Sequence, residues 1–273
     1  MQKGQLRWWQ AAALSLCFLC VAFLTMFFAG FLQAESNSAA QHIPMDKVTR
    51  DPLNILFAQA AGALVAVGLG LRWLGSDKPA ESLGLQKNPQ IHTLIFAVLA
   101  GFSLQFPLTE LSNALRTIFP VSIEEQIAVQ RMLNPSHWLG AFETTLAIVL
   151  VAPLSEEVLF RGIMIRGLNA RYGKVVAVIL SALLFGLAHM GIIELVYASI
   201  VGILLGLLYL SKQNLWTCIT LHASFNAAPL VLPSRLIPIE GFNLVSENVQ
   251  HLRPDLFSAS ALLFAFSFYF LMK

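Results

Sequence analysis

Long, nearly unbroken apolar runs constrain this chain more than any other feature. Crossing a bilayer takes about 20 residues at 1.5 Å each, and the run from Trp8 to Phe31 is interrupted by little except Gln10. Similar windows follow at Leu53–Leu74, Ile91–Phe106, Trp138–Leu168, Lys174–Met190, Ile192–Leu210, Leu215–Leu232 and Phe257–Met272. The first cannot be a signal segment, whose apolar region is about 7–15 residues, so it is read as a retained spanning helix. The fold predicted is all-α, a polytopic membrane helical bundle of about eight transmembrane helices. Composition agrees: 57% of residues are hydrophobic and 12% charged, which excludes an ordinary soluble protein. A net charge of +2 gives no footing for nucleic acid.

Lysine and arginine bias in the short loops sets the orientation. With a cytoplasmic N-terminus, Lys3, Arg7, Arg72, Lys78, Lys87, Arg161, Arg166, Arg171, Lys174, Lys212 and Lys273 lie on or toward the inside. Lys47, Arg50, Arg116, Arg131, Arg235 and Arg253 lie outside, with most loop carboxylates. Both termini are expected in the cytoplasm, in a multi-pass protein of a bacterial inner membrane. Polar stretches at Ser76–Pro89 and Pro233–Pro254 mark joints. Leu108–His137 reads as a pair of short amphipathic helices at the interface or capping the bundle. Cys17 and Cys20 are spaced C-x-x-C, but neither a flanking motif nor a second pair accompanies them. They and Cys218 are read as buried thiols packing as small hydrophobes.

An ionised group in a bilayer costs roughly 2.5–3.5 kcal/mol on insertion scales, so intramembrane polar residues are functional candidates by default. The fourth to seventh helices carry Glu143, Glu156, Glu157, Arg161, His189, Glu194, His222 and Asn226. Glu157 and Arg161 share a helix face as an i,i+4 pair, and Glu156 is rotated from it by about 100°. Pro153, just upstream, allows a kink. Phe185 and His189 pair at the same spacing, as do His222 and Asn226.

Height can be compared too. The turn between the fourth and fifth helices falls near Tyr172–Gly173. Glu156 and His189 stand equally far from it, about 25 Å from the tip, and His222 reaches a similar level if that tip projects ~10 Å from the membrane. Glu143 sits nearer the outer face and Glu194 in a turn, so neither is given a catalytic part.

Glu156-Glu157-x-x-x-Arg161, Phe185-x-x-x-His189 and His222-x-x-x-Asn226 resemble the three motifs of the CAAX protease and bacteriocin-processing (CPBP, Abi) family of intramembrane endopeptidases. That family includes the Ras-converting type II CAAX prenyl endopeptidases. The resemblance implies a hydrophilic cavity open toward the cytoplasm. It also implies that Glu156, with His189, activates a water, while His222 and Asn226 hold the oxyanion. Glu157, Arg161 and Phe185 would support them, Glu157 and Arg161 by fixing the helix and the Glu156 rotamer. No cofactor is certain. Glu156, His189 and His222 could supply two nitrogens and an oxygen to zinc, but no H-E-x-x-H accompanies them.

The division expected is 1–137 for N-terminal spans and the interfacial segment, 138–232 for the catalytic core, and 233–273 for an external loop and last span. The partners expected are the lipid bilayer and a membrane-associated peptide or protein substrate. The rival readings are a non-catalytic scaffold or bacteriocin-immunity factor, and a proton-coupled transporter. No pair of broken helices in matching positions supports the transporter.

Overall fold

In the computed structural model, residues 4–36, 48–75, 83–85 and 88–273 are described, and among them the chain is all-helical. Lys3, Lys47, Lys78 and Lys87 of the orientation reading, and most of the Ser76–Pro89 joint, lie outside these residues. The helices are α1 (Trp8–Ser36), α2 (Pro52–Leu74), α3 (Ile91–Arg116), α4 (Ile123–Leu133), α5 (138–172), α6 (Lys174–Leu187), α7 (Ile192–Lys212), α8 (Leu215–Val231) and α9 (Pro254–Met272).

Local chemistry sets several of these ends. Asp51 caps α2 by accepting from the Leu53 and Asn54 amides, with Pro52 in the first turn, where its missing N–H costs nothing. Gly75 closes the same helix in the left-handed conformation. Ser122 caps α4, His137 Nδ1 caps α5, and Asn214 caps α8.

Five helices (α1, α2, α3, α7 and α9) have spans long and apolar enough to cross a membrane. The surfaces they leave uncovered are apolar, for example Phe23, Leu24 and Phe28 on α1, Leu64 on α2 and Leu262 on α9. Such surface is costly in water and ordinary in lipid. The protein is an integral membrane bundle.

The structure departs from the sequence reading in three places. Helix α3 runs through Pro107 to Arg116, so Leu108 to Arg116 is the end of a span and not a separate amphipathic helix. Proline is tolerated within spanning helices because neighbouring groups take up the freed carbonyl. Only α4 remains of the expected pair, and none of its residues is buried. Cys20 is exposed and Cys17 half-buried on α1, so only Cys218 is the buried thiol expected. Arg161, assigned to the cytoplasmic side, has no exposure at all.

Helices pack chiefly as α1 on α2, α8 and α9 on α3, and α6 on α7. Gly101 lets α3 approach α8 closely, since a Cβ there would strike the Leu221 carbonyl. At one end, Gly4 N donates to Leu74 O, Leu6 N to Gly167 O and Leu215 N to Gly84 O. The stretch 233–253 lies across the opposite end. Here Asn113 Nδ2 donates to Gly241 O at 2.7 Å, Gln130 reaches Ser234 and Asn243, and His251 Nδ1 lies 2.6 Å from Glu110.

Candidate active site

Helix α5 leaves α register twice along its length. α-Helical Trp138–Thr144 passes into a π-helical Thr145–Val151, returns to α at Ala152–Glu157, becomes π again at Val158–Ile165, and ends as α at Arg166–Tyr172. The two adjacent glutamates close the short α stretch, and such π insertions often mark functional sites. In the first π segment Ala152 N–H bonds to Ala147 O, five residues back. Pro153 has no N–H to give Ile148 in that register. Asn226 Nδ2 of α8 donates to the Ile148 carbonyl at 2.9 Å instead. A proline, a π turn and an amide side chain thus lock α5 to α8 one turn from His222.

Glu157 and Arg161 are both fully buried. Arg161 Nη1 donates to Glu157 Oε1 at 2.9 Å. Arg161 Nη2 reaches the Gly202 carbonyl at 3.4 Å, and the guanidinium lies 4.6 Å from the centre of the Phe185 ring. The same Glu157 oxygen is 2.8 Å from His222 Nδ1. A carboxylate accepts, so Nδ1 is the donor in this assignment, and Nε2 is left to face the site. It faces Glu156: His222 Nε2 lies 3.8 Å from Glu156 Oε2. That is too long for a direct hydrogen bond, but one water bonded to each at about 2.8 Å would fit between them.

Phe185 stands at the centre of the cluster. Its ring meets His189 edge-on at 4.9 Å, His222 at 5.8 Å and Phe160 at 5.1 Å. His189, at the end of α6, has Nδ1 2.9 Å from the Phe185 carbonyl. Nδ1 is therefore a donor there, and in the neutral ring Nε2 keeps its lone pair. Both imidazoles flank one phenyl ring, consistent with the common level read from their distances along the chain.

Among the described residues no hydrogen bond joins Glu156 directly to His189, and His222 Nε2 is the imidazole nitrogen 3.8 Å from Glu156. One expected partnership is different in the structure: Glu157 and Arg161 hold the His222 ring and not the Glu156 rotamer. Glu156 is held by Gln59 of α2, whose Nε2 donates to Glu156 Oε1 at 3.0 Å. Ser155 Oγ lies 3.3 Å from Gln59 Oε1 and orients that amide in turn. Gln59 was missed because intramembrane polar residues were sought only from the fourth helix onward. As a glutamine inside an apolar span, it carried the same signal as the others.

Beside this cluster is a cavity of about 400 Å³, with Ile148, Asn226, Phe225 and Tyr197 in its wall. A second cavity, about 410 Å³, shares Arg116, Gln126, Glu194 and Phe242 with it and extends the space toward α4. Glu194, read from sequence as a solvated turn residue, borders both. The cavity lies at the end crossed by 233–253, away from the basic turn at Tyr172–Gly173.

Among the described residues no three His, Cys, Asp or Glu side chains come together as a metal site. The set Glu156, His189 and His222 therefore does not fit zinc as it stands, and no step is derived through a metal.

Residues 138–228 match the family described as type II CAAX prenyl endopeptidase Rce1-like. All the motif residues of the cluster fall inside that segment, whereas Gln59 falls outside it. No curated protein and no solved structure matches the chain.

Proposed function

We propose that this chain, with an Rce1-like endopeptidase domain at residues 138–228, hydrolyses a peptide bond of a membrane-associated protein or peptide within the bilayer. The observation that carries the reading is the facing pair Glu156 Oε2 and His222 Nε2, 3.8 Å apart and each fixed from behind. A structural ion pair needs no such gap. An acid–base site for water does.

The steps follow from the chain's own groups. A water between Glu156 and the neighbouring imidazole nitrogens attacks the substrate carbonyl carbon, and its proton passes to the Glu156 carboxylate. The carbonyl π electrons move onto oxygen. The second N–H of Asn226 Nδ2, and His222 Nε2 whenever that nitrogen carries a proton, are the donors available to that oxyanion. Collapse of the intermediate breaks the C–N bond, and Glu156 returns the proton to the departing amine. His189 Nε2 is the second acceptor that keeps the water aligned. Glu157 and Arg161 act through His222: one carboxylate oxygen bound to the guanidinium and to Nδ1 sets the ring's tautomer and angle.

The test uses purified protein in lipid vesicles with a membrane-anchored peptide reporter. Cleavage is expected from the natural protein and none from Glu156→Gln; full turnover in that variant would end the reading. The metal-free form is tested alongside by adding a strong chelator and measuring bound zinc. Turnover that persists at negligible metal supports it, and loss that zinc restores overturns it.

A further inference from the structure

The two ends of the bundle differ in both charge and permeability. One end gathers Arg7, Arg72, Arg166, Arg171, Lys174 and Lys212 and, among the described residues, no carboxylate. The other carries Glu110, Glu124, Glu125, Glu194, Glu240 and Glu247, with Asp51 and Asp255, against Arg50, Arg116, Arg131, Arg235 and Arg253, and so is acidic on balance. Between the candidate site and the basic end, Leu159, Phe160, Arg161, Ile163, Met164 and Ile165 have no solvent exposure. Close-packed interior of this kind leaves no path for a water chain or an extended peptide. Toward the acidic end lie the two merging cavities, with Asn226 and Ile148 in the wall of the inner one.

Positive charge marks the cytoplasmic side of a polytopic protein. From this, together with the packed plug, we infer that the site opens to the non-cytoplasmic face and that its substrate is an extended peptide presented from that face, such as an exported peptide or the external juxtamembrane segment of a membrane protein. Lipidated C-termini on the cytosolic side would meet the sealed end. The cleft suits an extended backbone: Gln105, Asn113, Gln126, Asn226, Asn248 and Gln250 line it, and amide side chains both donate to and accept from peptide groups. This inference rests on the proteolytic reading for its substrate, but not for its direction of access.

The test separates the two. In a background of Cys17→Ser, Cys20→Ser and Cys218→Ala, single cysteines are placed at the cleft mouth (Ser246→Cys) and at the basic end (Arg171→Cys). Intact cells are treated with a membrane-impermeant maleimide. Labelling is expected at Ser246→Cys in intact cells, and at Arg171→Cys only after permeabilisation; the reverse pattern overturns the inference whatever the activity. A reporter whose cleavable segment faces outward should be cut, and one facing inward spared. Cleavage of the inward reporter alone also overturns it. If neither is cut while the labels fall as expected, the proteolytic reading fails and the direction of access stands. If Ser246→Cys does not accumulate, Asn248→Cys reports on the same wall.

Discussion

Glu156 and Glu157 are neighbours in sequence, yet they belong to two different kinds of protein interior. On the Glu157 side the bundle is dry and fully packed. Arg161 and His222 Nδ1 share one Glu157 oxygen, while Glu157 Oε2 and Arg161 Nε are buried there without a hydrogen-bond partner. On the Glu156 side it is loosened by a proline, and a cavity walled by Ile148 and Asn226 lies next to it. A rotation of about 100° per residue is enough to assign the two carboxylates to opposite sides of that boundary. One side holds an imidazole still, and the other leaves room for a reactant.

The sharpest way to break this comparison is to remove one carboxylate's charge at constant shape. Glu156→Gln should lower turnover by about 10⁴-fold, some 5.5 kcal/mol of barrier, while unfolding stability stays within about 1 kcal/mol, because an amide oxygen still accepts from Gln59. Reporter cleavage and denaturant unfolding in detergent read the two effects. A variant that loses stability as much as activity would show that Glu156 belongs to the dry side after all.

On that side, Arg161→Met leaves Glu157 buried without its main cation and should cost about 3–5 kcal/mol of stability. Adding Glu157→Gln to it should recover much of the loss, since the stranded charge is gone, while activity returns only in part, because the amide oxygen still accepts from His222 Nδ1 but has lost Arg161 behind it. If the single variant melts like the natural protein, the ion pair is not what organises this half.

Two smaller effects map the boundary itself. Asn226→Ala removes a donor proposed for the oxyanion and should reduce turnover about 10²- to 10³-fold. It should also cost about 1 kcal/mol of stability through the orphaned Ile148 carbonyl. Gln59→Leu removes the hydrogen bond from α2 to Glu156, and should lower kcat roughly tenfold at nearly constant KM, the share of one hydrogen bond to a charged group. A change in KM alone would make Gln59 part of the substrate's binding surface and not a positioning residue.

The dry side was the more legible in the sequence. An i,i+4 Glu–Arg pair declares its own geometry. The apolar runs likewise gave the helical membrane class, and positions for most of the spans. The boundary was not legible, because π register leaves no periodic signature that separates it from α over a few residues. Which imidazole faces Glu156 depends on how α8 rotates against α5, and the close contact at Gly101 has a part in that rotation. Gln59 comes from a helix nearly a hundred residues earlier in the chain, and only tertiary packing selects it from the other polar residues of the spans. The continuation of α3 through Pro107 was hidden for a related reason: a proline reads as a boundary until the surrounding helices are known.

The smallest effect concerns the turn that carries His189. Met190 sits at φ 58°, in the left-handed region, with its side chain 79% exposed. A non-glycine residue there pays roughly 1–2 kcal/mol. Glycine would avoid that cost but lose about 0.5–1 kcal/mol through its freer unfolded chain, so Met190→Gly should stabilise the protein by no more than about 1 kcal/mol. Its kcat should be unchanged, because His189 is positioned by the Phe185 carbonyl and the face of the Phe185 ring, both on the preceding turn of α6. A fall in kcat with unchanged or higher stability would mean that the strained turn, more than the packed aromatic behind it, aims this imidazole into the open half of the bundle.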